Sequence, residues 1–530
     1  MKITAATLLS VVCLLCVARR LQCARILAVI PTPSYSHQVP YRPLWLKLVD
    51  RGHEVVLITA NPIPNVNRTN LTQIDVGASY STLRAIDFIG LRFEGESWLT
   101  FVGREMLPLS MVFTENVLNN TAVKKIIAPE STATFDLVIA EMLFQPAIYA
   151  FAHRFNAPMI GVSSLGILAL NEHALGGIPM ASHEYTWEME ANTGSNLPFW
   201  KRLKNFVAMW HFIWDTYSSL FPPHQKLAEK YFGKGLPPML DILKNTSAVF
   251  IEQSDAITPA RHKLANMITF VSSHVKQNSP PLSKDLQRFA DDAPEGFIYF
   301  SLGSNAMSSD LPNETLQIFL DVFAKLPYRV LWKWEKDDLP GKPDNVFTAK
   351  WFPQHSVLAH PNIKLFIYQG GLQSSEEAVH FRVPLLGFPI LADQDYQVGR
   401  MEALGVGKRM EITTVARDEL ESAIREIITD KKYKENMIEL NNVVNDNPYD
   451  FMDNLVWWTE YIIRHKGAPH LRSNLARQPW YQRCDMDIVV FLTIVAFIVV
   501  SNVLSLSAKI IVRVYKRHDT HSASQKQKLS

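Results

Sequence analysis

Cysteine is scarce in this chain. There are 4 in 530 residues, and Cys13, Cys16 and Cys23 all fall near the start. A disulfide-dense scaffold is therefore excluded. No Cys/His cluster has the spacing of a zinc site. Charge of one sign is lacking too: 53 Lys and Arg face 51 Asp and Glu, a net of +2. That balance excludes a nucleic-acid binder working by bulk charge, and it excludes a disordered polyelectrolyte. No internal repeat and no low-complexity tract interrupts the chain. What is present is an ordinary globular mixture, 47% apolar and 20% charged, able to bury a core. At roughly 150 residues per domain the length suggests two to four domains.

The two ends carry location signals. Lys2 precedes an apolar run, Ile3 to Val17, too short to span a bilayer comfortably. It reads as a signal peptide over 1–23, cleaved after Cys23, with a buried first strand or helix as the alternative. Its removal leaves Cys484 as the sole cysteine, so core packing alone must hold the mature fold. Near the other end, Ile488 to Ala508 contains no charge and is flanked by Asp487 and Lys509. At 1.5 Å per residue it matches one bilayer core. Lys509, Arg513, Lys516 and Arg517 follow, the positive-inside pattern. The expected topology is a lumenal body, a span over 487–509 and a cytosolic tail over 510–530. The ending Lys526-Gln527-Lys528-Leu529-Ser530 resembles a dilysine retrieval address for the endoplasmic reticulum, or is a solvated basic tail. Five sequons, at Asn67, Asn70, Asn119, Asn245 and Asn313, agree with a lumenal body.

Between the ends the pattern is strand and helix in alternation. Arg25–Ile30 is an apolar strand, Gln38 to Arg51 has helical periodicity closed by Gly52, and His53–Thr59 is the next strand. Asp136–Ala140 reads as a later strand of the same sheet. A polar stretch, 277–284, precedes a second set: strands Gly296–Leu302, Tyr328–Trp334, Ile363–Tyr368 and Pro384–Phe388, with helices Pro312–Leu326 and Ser374–Phe381. The fold class is α/β, two Rossmann-like domains facing across a cleft, over 24–276 and 277–446, plus one C-terminal transmembrane helix. An aromatic segment, 447–486, precedes the span. It includes Trp457-Trp458-Thr459-Glu460-Tyr461 and is expected to form a helix packed on the body.

The chemistry-bearing stretch is Trp351-Phe352-Pro353-Gln354, then Gln369 to Ala378 with Gly370-Gly371, then Pro384, Pro389 and Asp393-Gln394. A strand that ends in two glycines and opens a helix offers free N–H groups and a positive dipole to phosphate. Ser374 and Glu377 also spell an S-x-x-E capping box.

Taken in order, these residues resemble the signature of the UDP-glycosyltransferases, specifically the membrane-bound animal family of the endoplasmic reticulum. Pro31–His37 with Arg42-Pro43-Leu44-Trp45, Tyr299–Asn305, Trp351–Gly371 and Trp457–Leu471 carry the likeness over most of the chain. The resemblance implies a GT-B fold and an inverting transfer of a hexose from a UDP-sugar to a hydroxyl of a small lipophilic acceptor. UDP-glucose is the expected donor and UDP-glucuronate the alternative. By the same resemblance Trp351 stacks on uracil, Gln354 lies beside the nucleoside and Glu377 accepts from ribose hydroxyls. Ser304, Ser374, Gln369 and the backbone at Gly371 serve phosphate, and Asp393 and Gln394 hold sugar hydroxyls. Asp393-Gln394-Asp395 also spells D-x-D, but it falls on the family's acidic-Gln position. No metal and no further cofactor is expected. His37 matches the catalytic histidine, read here at a helix N-terminus, and Glu141 stands where relatives often carry Asp to orient it. Expected partners are the UDP-sugar, the acceptor and the membrane, with a homo-oligomer through the aromatic segment and span as a further option.

Besides Glu141 for Asp, the chain departs from the pattern at three places. Gln369 replaces a histidine and can never be cationic. Val271-Ser272-Ser273-His274 stands where the family usually has a Gly-Gly pair. Arg261 is a candidate counterpart of a family arginine near phosphate. These departures motivate a second reading, a relative that binds UDP-sugar or a lipophile without turnover.

Overall fold

The computed structural model describes residues 23–178, 197–275 and 279–527. The leader up to residue 22, residues 277 and 278 of the polar stretch and the last three residues lie outside them. The chain forms two compact units, one ending at Ser473 and one from Asn474 onward.

The first unit holds two parallel sheets. The first has seven strands: β1 Arg25–Ile30, β2 Glu54–Thr59, β3 Leu71–Asp75, β4 Leu137–Glu141, β5 Met159–Ser163, β6 Ala248–Glu252 and β7 Met267–Phe270. Their order is β3-β2-β1-β4-β5-β6-β7. The second has six: β8 Phe297–Ser301, β9 Arg329–Lys333, β10 Val346–Ala349, β11 Ile363–Tyr368, β12 Leu385–Gly387 and β13 Gly407–Arg409. Their order is β10-β9-β8-β11-β12-β13. Every pairing is parallel, from Ile26 beside Leu137 to Tyr368 beside Ser301. Helices cover both faces, so the strands read as continuous apolar runs rather than alternating ones.

Each sheet reverses its strand order once, between β1 and β4 and between β8 and β11. Crevices of this kind, at the carboxyl ends of the flanking strands, are where doubly wound sheets hold ligands. The predicted strand ends were accurate to about a residue. The first helix was not: Gln38 to Arg51 divides into a 3-10 turn, Val39–Tyr41, and an α-helix, Arg42–Asp50. Pro40 and Pro43 explain the division, because neither can donate the backbone hydrogen bond a continuous helix needs.

The core of the second sheet is aromatic. The Trp332 ring is fully buried, with centroids of Phe300 at 4.9 Å and Phe323 at 5.4 Å. Trp332→Ala should lower stability by about 3–5 kcal/mol, checked by thermal or denaturant unfolding of the purified protein.

After the second sheet the chain returns to the first. Helix Phe451–Arg464 sets Met452, Leu455, Val456 and Ile462 into the cluster formed by Trp45, Leu48 and strand β1. Lys47 reaches Asp450 at 2.9 Å and Asp453 at 2.7 Å on its rim. These exposed pairs add little; the apolar contact holds the helix. In the second unit, helix Met486–Gln527 exposes its apolar side chains, among them Phe491, Phe497 and Leu504. Among the described residues its stretch Met486–Lys516 is the one helix long and apolar enough to cross a membrane.

Of the sequons, Asn67, Asn119, Asn245 and Asn313 are exposed. Asn70 is not a free acceptor. Its side-chain amide donates to the carbonyls of Val49 and His53, each at 2.9 Å. A glycan on that nitrogen would replace a hydrogen the fold uses.

Candidate functional site

The crevice between β1 and β4 holds a histidine and a carboxylate. Glu141 is the last residue of β4 and is 1% exposed. His37 is 8% exposed and closes a 3-10 turn, Tyr35–His37, beyond β1. It sits at the C-terminal end of that turn and five residues before the α-helix, so the expected helix N-terminus is not what surrounds it. The carboxylate does that work instead. Oε1 of Glu141 lies 2.9 Å from Nδ1 of His37, and Oε2 accepts the backbone N–H of Thr32 at 3.1 Å. Oγ of Ser164 lies 3.1 Å from the same Nδ1. An ionised carboxylate only accepts, so Nδ1 carries its hydrogen toward Glu141 and Nε2 keeps its lone pair. Thr32 and Ser164 are parts of the pair's setting that sequence reading missed.

The crevice between β8 and β11 holds the donor-side residues. Gly370 has φ +97°, and a Cβ there would collide with Val398 and the Gln394 carbonyl, so the turn requires glycine. Gly371 is the N-cap of helix Leu372–Phe381. Ser374 is therefore the third residue of that helix, and the capping box is not formed. Ser374 instead accepts from Nε2 of Gln354 at 3.1 Å. The same nitrogen donates to Oε2 of Glu377 at 2.7 Å, and the Tyr299 hydroxyl donates to Oε1 of Gln354 at 3.1 Å. The Gln369 side chain lies against Gly303, and its Oε1 has no hydrogen-bond partner among the described residues.

Glu377 is more occupied than a ribose acceptor was expected to be. Its Oε1 lies 3.1 Å from Nε2 of both His274 and His355. Burial alone would push its carboxyl up, but hydrogen bonds from His274 and His355 and their charge outweigh this and hold it at about 2. Asp393 is pushed up to about 7 by burial, against the Gln397 hydrogen bond, its own backbone N–H and the proximity of His37. Gln394 turns its Oε1 back to accept from Ile390 N and Leu391 N, at 2.9 and 3.0 Å. Asp395 does not join Asp393. It pairs with Arg92 at 2.9 Å and Arg409 at 2.7 Å.

The two crevices meet across a seam. Nδ2 of Asn305 donates to Oγ of Ser34 at 3.2 Å, and the rings of Tyr35 and Trp351 sit edge to face at 5.8 Å. Trp351 is 57% exposed, so its ring is open to stacking. A cavity of about 470 Å³ lies along the seam, with Tyr35, Asn61, Tyr80 and Phe88 on one side and Ser304 and Trp351 on the other. The Val271–His274 departure also lies on the seam. Ser272 has φ +51°, the region where the family's glycine would be unstrained. Its N–H donates to Glu376 at 2.7 Å, while Gln373 donates to the Ser164 carbonyl at 3.0 Å and to Glu252. Burial raises the Glu252 carboxyl well above the usual range, with Glu376 adding to it, and burial lifts Glu376 to about 8. Arg261 is not available to phosphate: its guanidinium is paired with Glu172.

Two doubly wound parallel sheets that meet across a seam are the architecture of the GT-B class. The solved structure of TcCGT1 in complex with UDP superimposes with a TM-score of 0.57 at 16% identity, over 84% of this chain and 99% of that one. The family described as UDP-glucoronosyl and UDP-glucosyl transferase matches residues 25–520. UDP-glucosyltransferase 2 of Dactylopius coccus is 32% identical over 480 residues, covering 89% of this chain and 90% of its own. UDP-glucuronosyltransferase 2B7 of Homo sapiens is 27% identical over 490 residues, covering 87% and 88%. The chain belongs to this UDP-glucuronosyl and UDP-glucosyl transferase family, and its activity is sugar transfer from a UDP-sugar.

Proposed function

We propose that the protein transfers a hexose, from UDP-glucose rather than UDP-glucuronate, to a hydroxyl of a small lipophilic acceptor. The anomeric centre inverts. The observation that carries this reading is the His37–Glu141 pair at 2.9 Å, with Nε2 of His37 left without a protein partner among the described residues. Nε2 takes the acceptor proton as the acceptor oxygen attacks the anomeric carbon. The C1–O bond to UDP breaks on the opposite face, and Glu141 stabilises the imidazolium that forms. An α-linked donor gives a β-glycoside.

Trp351 stacks on uracil, Gln354 and Glu377 border the nucleoside, and Ser304, Ser374, Gln369 and the Gly371 backbone hold phosphate. Asp393 and Gln394 meet the sugar hydroxyls. The bond-making step uses no metal, since the Asp395 carboxylate that would complete a D-x-D pair is held by two arginines. The body is lumenal in the endoplasmic reticulum, anchored by one span.

The test is product formation in membranes containing the protein, with UDP-glucose and UDP-glucuronate against a panel of phenols and steroids. A β-glucoside is expected; a glucuronide alone would overturn the donor choice. A second reading, ligand binding without turnover, is favoured by Gln369, which can never be cationic, and by Ser272-Ser273 in place of a Gly-Gly pair. UDP binding with no product from any acceptor would establish it. Trp351→Ala should raise the donor KM about 5- to 150-fold, the equivalent of about 1–3 kcal/mol of base stacking, with a smaller change in kcat.

A further inference from the structure

A group of three buried side chains on the seam takes no part in the proposed transfer. Glu252 ends β6, His274 stands four residues beyond β7, and Glu376 lies on helix Leu372–Phe381. They are 0%, 6% and 1% exposed. A ligand atom of each lies within 4.8 Å of those of the other two.

Each of the three has one polar atom held and one left over. Oε2 of Glu252 accepts from Gln373, Oε2 of Glu376 accepts the Ser272 N–H, and Nε2 of His274 lies 3.1 Å from Glu377. The remaining atoms, Oε1 of Glu252, Nδ1 of His274 and Oε1 of Glu376, are buried and have no hydrogen-bond partner among the described residues. Nδ1 of His274 and Oε1 of Glu252 are 3.6 Å apart, beyond hydrogen-bond distance. Buried polar atoms of native proteins are nearly always satisfied, and three orphans in one place call for a common partner.

The chemistry of that partner follows from the donors. Two carboxylate oxygens and one imidazole nitrogen suit a divalent transition ion. Metal-bound histidines commonly donate their other N–H to a carboxylate, and ligating carboxylates are held by a second hydrogen bond. Both features are already in place here. The neighbouring trio of His274, His355 and Glu377 differs, because its atoms are spent on one another at 3.1 Å.

We propose that Glu252, His274 and Glu376 bind one divalent transition-metal ion, with zinc the best match, and that this ion ties the two halves of the body together. Two ligands come from the acceptor half and one from the donor half, so the ion bridges the seam. It takes no part in bond making. Sequence spacing could not show the site, since its ligands are spread over 125 positions and share no local motif.

The test uses the full-length protein in detergent, stripped with chelator and then titrated with Co²⁺ and with Zn²⁺. One Co²⁺ per chain should bind with visible d–d bands, Zn²⁺ should displace it, and Zn²⁺ should raise the thermal midpoint. Glu376→Gln keeps the shape and an oxygen for the Ser272 N–H, and it should lose both the bands and the midpoint shift. Glu377→Gln, one bond removed from the ion, should weaken binding about 10- to 100-fold. Asp395→Asn should bind as the parent does. Absence of stoichiometric Co²⁺ uptake by the parent protein, or uptake by Glu376→Gln equal to the parent's, would overturn the proposal.

Discussion

His37→Ala is expected to cut turnover by about 10²–10⁴-fold, the usual contribution of a positioned general base. The donor side should be nearly untouched. Trp351, Gln354 and Ser374 belong to the other crevice, and none of them bonds to His37. UDP binding by the variant, measured by calorimetry, should therefore match the parent. The substitution leaves Oε1 of Glu141 without its imidazole partner, although Oε2 keeps the Thr32 N–H at 3.1 Å. Losing one partner of a buried carboxylate costs about 1–3 kcal/mol, so the variant should melt lower yet remain folded. Turnover within about tenfold of the parent would remove His37 as the base. Loss of turnover together with loss of UDP binding would point to a folding defect and leave the role undecided until His37→Gln is measured.

The strands were legible in the sequence because both their faces are buried. Arg25–Ile30 and Ile363–Tyr368 are unbroken apolar runs with a turn at the end, and the structure has them at those limits. Placement of the candidate residues was legible for the same reason, since a residue just beyond a strand's carboxyl end lands in a crevice. The start of the helix beyond His37 was misread because helical periodicity alone does not register Pro40 and Pro43. The seam was not legible at all. Asn305 finds Ser34 across 271 positions and His274 finds Glu377 across 103, and no local pattern marks either. The one available signal was Val271-Ser272-Ser273-His274, where side chains replace glycines. The structure shows those side chains and their backbone making hydrogen bonds across the seam.

Glu141→Gln should be at least as damaging as loss of His37. The two side chains have the same shape, but the amide has one acceptor and one donor where the carboxylate has two acceptors. If the amide oxygen keeps the Thr32 N–H, its NH₂ group faces Nδ1 of His37. Nδ1 must then accept, the ring hydrogen moves to Nε2, and the lone pair that takes the acceptor proton is gone. If the amide turns the other way, two N–H groups oppose each other at Thr32, at a cost of about 1–3 kcal/mol. The first arrangement avoids that cost and should dominate. Locking a catalytic imidazole in the wrong tautomer lowers kcat by about 10⁴-fold in comparable carboxylate–histidine pairs. The expected pattern is therefore a drop of that order in kcat, an unchanged donor KM and a modest loss of stability. Glu141→Asp keeps the charge but draws it back by one methylene from a 2.9 Å contact, and it should fall between the two. Steady-state kinetics on all three proteins checks this order. If Glu141→Gln turned over within about threefold of the parent, Glu141 would have no part in setting the tautomer. Ser164, whose Oγ is 3.1 Å from Nδ1, would then be the group that orients the ring.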